Sequence, residues 1–158
     1  MWLEFYKSKS NQGFKEEFMD VDKLNEDFAK IAELVTKLDS MDYSDEQYDD
    51  VEEELHDLED QLMEDFGDEL EDAIAEAYDN LCPDNDVLLP TAYIAKHYVR
   101  KQKDNQGRPG YDIEYREGIP IESDKFPDQE VYIALVPGPT RLVVTVGDAA
   151  KQTIWMAK

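Results

Sequence analysis

Residues Ser44 to Cys82 read SDEQYDDVEEELHDLEDQLMEDFGDELEDAIAEAYDNLC, and the periodicity of this stretch decides the fold. Tyr48, Val51, Leu55, Leu58, Leu62, Phe66, Leu70, Ile74, Ala77 and Leu81 recur three or four residues apart, which places them on one face of a single amphipathic helix. The remaining faces are almost pure carboxylate. About twenty Asp and Glu lie between Asp39 and Asp79, and no Lys or Arg occurs between Leu38 and Ala95. Ser44 and Gln47 have the spacing of a capping box, and Asp45 and Glu46 stand where the positive end of a helix dipole favours anions, so the helix is expected to start there. Gly67 is either a bend or a tolerated mid-helix glycine costing about 1 kcal/mol. Pro83 closes the element.

Upstream, Phe18, Val21, Leu24, Phe28, Ile31, Val35 and Leu38 give a second apolar stripe, predicting a helix from about Lys15 to Leu38. The short break at Asp39 to Tyr43 makes the two helices an antiparallel hairpin. At 1.5 Å per residue the later helix would run about 57 Å against about 35 Å for the first, so it overhangs. Its last turns are rich in small residues (Ala73, Ala75, Ala77), which allow close approach of another layer, and this end is expected to dock on the rest of the chain. Met1 to Phe14 mixes aromatics with turn formers and fits strand or helix equally.

Downstream the charge collapses and the period changes. Residues 1–82 carry twenty-eight acids and six Lys or Arg, whereas residues 83–158 carry eleven and ten. Tyr111, Ile113 and Tyr115 alternate with polar residues, Val131 to Leu135 alternates less cleanly, and Leu142 to Val146 is nearly all apolar, which predicts strands. Pro137, Gly138 and Pro139 mark a turn joining Glu130–Val136 to Thr140–Val146 as a hairpin. Gln152 to Ala157 reads as a last strand, and Thr91 to Lys101 as a further one, although Pro90 and Thr91 also fit a helix start. The expected architecture is α+β: a long antiparallel helical hairpin (residues 1–82, with the N-terminal segment) packed at one end on a four- to five-stranded antiparallel sheet (residues 83–158), the two forming one cooperative unit.

Composition sets the functional classes. A chain of 158 residues that is 41% hydrophobic can bury a core in spite of a net charge of -23. Such a polyanion is repelled by nucleic acid backbones and anionic lipid, so direct nucleic acid binding and membrane attachment are disfavoured. No signal-like or membrane-spanning run stands out, and with Cys82 as the lone cysteine no internal disulfide forms; the expected location is the cytoplasm. No catalytic motif is present, and no cofactor is implied. Glu53 and His56 have di-iron spacing but only one copy, Asp79 and Asp84 to Asp86 lack the glycine and distal glutamate of a calcium loop, and no metal site is expected. Cys82 among carboxylates is expected to be a packing residue, and His97 lacks an evident orienting carboxylate. Lys96, Arg100, Lys101, Lys103 and Arg108, interleaved with tyrosines, are read as protective edge charges or as an internal counter-charge for the acidic helix.

The acidic helix is the feature that composition does not explain away. Like charges at i and i+4 destabilise a helix where opposite charges would stabilise it by about 0.2 to 0.5 kcal/mol per pair. The leading expectation is a non-enzymatic, inhibitor- or immunity-like protein that binds a basic macromolecular partner through Asp49, Glu53, Asp57, Asp60, Glu64, Asp68, Glu71 and Asp72. The alternative is a small-molecule-binding β domain, with Tyr93, Tyr111, Tyr115, Tyr132 and Trp155 around a pocket and the hairpin serving oligomerisation. Homodimerisation through the long helix is the third class, opposed by repulsion between two such helices.

Overall fold

A computed structural model describes residues 19–148 and 150–158. The expected N-terminal segment and the first turn of the predicted first helix lie outside these residues. Helix α1 spans Val21–Asp39 and begins at Asp20, whose carboxylate accepts the amide of Lys23 at 3.1 Å. Leu24, Phe28, Ile31, Ala32 and Val35 are its buried face. Helix α2 spans Tyr48–Leu81, 34 residues, and buries Val51, Leu55, Leu62, Phe66, Leu70, Ile74 and Ala77 of the stripe, with Tyr48, Leu58 and Leu81 half-buried. Each fully buried Leu, Ile or Phe of that seam contributes about 1.5 to 3 kcal/mol, enough to outweigh the repulsion on the outer faces.

The capping box does not form. Gln47 occupies the N-cap position with no side-chain cap, and the helix begins at Tyr48. The chain instead turns twice through aspartates: the Asp42 carboxylate takes the Ser44 amide at 3.3 Å, and the Asp45 carboxylate takes the Gln47 amide at 2.9 Å. These local Asx turns satisfy amides that a helix starting at Ser44 would have left to the hydroxyl.

Lys23 faces Asp65 across the hairpin, so α1 runs alongside the first half of α2 and the second half overhangs. The overhang docks through two of its three small residues: Ala73 and Ala77 are buried with Ile74 and Tyr78, whereas Ala75 faces solvent, and Tyr78 packs edge-on against Tyr93 with ring centroids 6.2 Å apart. Tyr93 belongs to a 3-10 turn, Pro90–Tyr93. The long strand expected from Thr91 to Lys101 is therefore replaced by this turn, whose first position suits proline, a single bridge from Ile94 to Leu135, and the short β1, Val99–Lys101.

Strand β1 pairs antiparallel with β2, Gly110–Asp112, as a separate two-stranded ribbon. The main sheet is antiparallel, in the order β3 (Ile119–Ile121), β4 (Val131–Val136), β5 (Arg141–Val146), β6 (Ala150–Met156). The β4–β5 hairpin pairs Val131 with Val146 through to Val136 with Arg141, within one residue of the expected limits. β3 is an edge strand, where Pro120 is tolerated because its missing donor leaves no ladder bond unmade.

Three polar ties lock the layers together. The Thr140 amide donates to Asn25 Oδ1 of α1 at 2.9 Å, the Tyr98 hydroxyl donates to the Leu135 carbonyl at 2.8 Å, and the Asn85 side chain exchanges two hydrogen bonds with the Glu122 backbone just after α2 ends. One apolar core runs from Leu24 and Phe28 through Leu70 and Ile74 to Ile133 and Leu142, joining hairpin and sheet.

Candidate functional site

The eight carboxylates singled out on α2, from Asp49 to Asp72, are all exposed. They fall between the buried turns because the stripe claims every third or fourth position and leaves the rest to water. Among the described residues, none of the eight is in an ion pair. The pairs that α2 does make are Asp65 with Lys23 at 2.9 Å and Glu59 with His56 at 3.6 Å. Three cations of the second half pair away from α2: Arg108 with Asp104 and Asp22, Arg116 with Glu130, Lys151 with Asp112; Lys96, Arg100, Lys101 and Lys103 form no ion pair among the described residues. The Arg141 guanidinium is spent on three backbone carbonyls, of Pro137, Pro139 and Tyr111. The counter-charge role considered for the basic stretch is thus absent on α2 among the described residues.

Beside the overhanging part of α2, Val87, Leu88 and Leu89 are exposed, Leu89 by 63%. With Glu71, Asp72 and Ala75 they line a shallow groove of about 520 Å³. Three consecutive apolar residues in water against a carboxylate rim form a patch that a lone surface leucine does not.

The five aromatics considered as a pocket are not brought together. Tyr93 and Tyr111 are core residues: the Tyr93 hydroxyl donates to that of Tyr78 at 2.6 Å, and Tyr111 packs edge-on to Tyr98. Tyr115 and Tyr132 make a T-shaped pair on the sheet face crossed by the chain after β2. Trp155 is half-buried on β6, opposite Leu142.

A larger cleft, about 590 Å³, opens at the closed end of the hairpin between the end of α1, the first turns of α2 and the loop Ile94 to His97. It holds groups that sequence spacing did not connect. His97 Nδ1 lies 2.8 Å from Asp39 Oδ2, an orienting carboxylate 58 positions away in the chain. The Tyr43 and Tyr48 rings meet at a tilt of 45° with centroids 4.8 Å apart, Tyr43 being exposed to solvent. Glu59 is half-buried, and its desolvation holds its carboxyl above the usual range. Its signal in the sequence was its neighbour: Leu58 sits at the margin of the apolar stripe, so the next residue turns partly inward.

Cys82 is buried, and burial pushes its thiol up, away from the reactive thiolate. His56 is exposed, as the stripe requires. Among the described residues, no group of three His, Cys, Asp or Glu could hold a metal, and no helix is long and apolar enough to cross a membrane. No family model, curated protein or solved structure matches this chain.

Proposed function

We propose that this chain is a protein-binding module that engages a basic macromolecular partner through the exposed carboxylate face of α2. The observation that carries this reading is the exposure of Asp49, Glu53, Asp57, Asp60, Glu64, Asp68, Glu71 and Asp72 with no ion-pair partner among the described residues. Sixteen acids on a helix of 34 residues, about 51 Å long, give one charge per roughly 3.2 Å of axis. Those sixteen lie all round the helix; the eight named carboxylates span about 35 Å from Asp49 to Asp72, one per roughly 4 to 5 Å, sparser than the one per about 3.4 Å of a DNA strand yet a continuous line of negative charge that a cationic groove can track. The exposed Val87–Leu89 patch adds apolar contact surface at one end, while the carboxylates speed encounter.

The test compares the chain with a variant in which the eight residues are Asn or Gln. The wild type is expected to retain basic proteins from a lysate at low salt and release them as salt rises, and the neutralised variant to retain none of them. Retention that is indifferent to salt or to neutralisation, or that selects acidic proteins, would overturn the reading.

A further inference from the structure

Among the described residues the exposed large apolar side chains are Tyr43, Val99 and Met156, apart from one another in the chain, and Val87, Leu88 and Leu89 in a row. The row is held from behind: the Leu88 amide donates to the buried Tyr93 hydroxyl at 3.1 Å, and the Asn85 side chain is tied to the Glu122 backbone. Backbone fixed in this way leaves the three side chains in water beside α2, where Glu71, Asp72 and Ala75 complete the groove. The groove is preformed, and its charged lining groups are Glu71 and Asp72, both anionic. Apolar side chains next to cations fit such a surface.

The chain itself contains a stretch of that kind. Trp2, Leu3, Phe5 and Tyr6 are followed by Lys7 and Lys9, with Glu4 as the one acid among the first nine residues of a molecule of net charge -23. The described part of the chain also starts in a suitable place. Lys23 of α1 meets Asp65, while Val35 and Leu38 lie beside Tyr48 and Leu55, so the helices run antiparallel and α1 begins at the end nearer the overhang. Asp72 is two turns beyond Asp65 on the same side of α2, about 10 Å along the axis. Extended chain from Lys9 to Met19 spans up to about 33 Å, which covers that distance and the width of a helix, about 10 to 12 Å.

We propose that Trp2 to Lys9 dock in the Val87–Leu89 groove of their own chain, with the apolar side chains on Val87, Leu88 and Leu89 and with Lys7 and Lys9 towards Glu71 and Asp72. Removal of apolar surface from water supplies the attraction, and the opposite charges set the register. Two copies meeting groove to groove are opposed, because their carboxylates repel. The docking does not rest on the basic partner proposed above; a partner that uses Val87–Leu89 has to displace the segment first.

The chain has two tryptophans, so Trp155→Phe leaves Trp2 as the only fluorescent indole. In that background the Trp2 emission at low salt is expected to lie to the blue of its position in urea and to be protected from acrylamide. Leu88→Asp and Leu89→Asp are each expected to shift it to the red and to raise quenching several-fold, whereas Tyr43→Asp, exposed beyond the far end of α2, leaves it unchanged. Lys7→Glu with Lys9→Glu should weaken the protection, and adding Glu71→Lys with Asp72→Lys should restore it; circular dichroism confirms that each variant is folded. Urea-like emission from the folded chain, protection indifferent to Leu88→Asp and Leu89→Asp, a charge swap that restores nothing, or protection that grows with chain concentration, the mark of a second copy, overturns the proposal. These measurements contain no partner, so they are decided separately from the lysate test.

Discussion

Lys23 Nζ stands 2.9 Å from Asp65 Oδ2 and 5.5 Å above the ring of Phe66, the one ion pair across the helical hairpin among the described residues. The same ammonium holds Asp27 one turn along its own helix at 2.7 Å. Both contacts favour the charged lysine, whose pKa is raised chiefly by Asp27 and then by Asp65. Lys23→Met and Asp65→Asn are each expected to lower Tm. Their double-mutant cycle should show a favourable coupling that shrinks between about 0.05 and 0.5 M salt, because an exposed pair is screened. Additive losses with no salt dependence would show that the pair contributes nothing.

Acid should act in two opposed phases. Glu59 is raised by burial, so its contribution to stability is fully present below its unfolded value, about 4.3, and is lost as pH rises through the folded one. Asp65, lowered first by its hydrogen bond to Lys23, and Glu130, lowered first by Tyr115 and then by Arg116, contribute above their unfolded values and lose that contribution as pH falls through the folded ones. Thermal melts are expected to gain slightly from pH 7 towards about pH 5 and to fall below about pH 4. Glu59→Gln should remove most of the first limb and leave the second.

The buried hydroxyl chain at the end of α2 is directional. The Leu88 amide donates to Tyr93, and Tyr93 donates to Tyr78. Tyr93→Phe strands an amide and a hydroxyl and is expected to cost about 1 to 3 kcal/mol in urea unfolding, while Tyr78→Phe strands one donor and costs less. The double variant should cost less than Tyr93→Phe, because only the Leu88 amide is then left without a partner. A larger loss from Tyr78→Phe than from Tyr93→Phe would contradict Tyr93 as the central member of the chain.

Two glycines with positive φ separate strain from collision. At Gly118, φ +93°, a Cβ would overlap the Ile133 carbonyl and come within 2.8 Å of the Ala134 side chain; at Gly107, φ +78°, it would meet nothing within 4 Å. Gly107→Ala is expected to cost about 1 to 2 kcal/mol, the backbone term alone, and Gly118→Ala at least about 3 kcal/mol. Similar melting temperatures for the two variants would contradict the packing of β4 against residue 118.

Where interactions are local, the sequence was readable. The stripe from Tyr48 to Leu81 is the buried seam of α2, Gly67 sits in an unbroken helix with Met63 filling the space beside it, and the Pro137–Pro139 turn closes the β4–β5 hairpin. The failures are non-local or conformational. Ile119–Ile121 is a strand only because Val131 to Ile133 lies beside it, and its central proline argues against it in isolation. The Tyr111 run stops at Asp112, short of Arg116, which takes a φ of 80° that no apolar alternation encodes. The acidic face was legible because exposure is the complement of the stripe. The Asp39–His97 contact and the cleft around Glu59 were not, because they depend on how the hairpin end meets a loop far along the chain.

The segregation of carboxylates onto α2, with Arg116 and Lys151 of the second half bound to neighbouring carboxylates and Arg141 to carbonyls, makes the molecule electrically lopsided. It is a dipole as well as an anion. On any positively charged support it should adsorb with the helix down and the strands turned towards the solvent, so tethering chemistry aimed at the strands would leave such a layer intact while chemistry aimed at the helix would lift it.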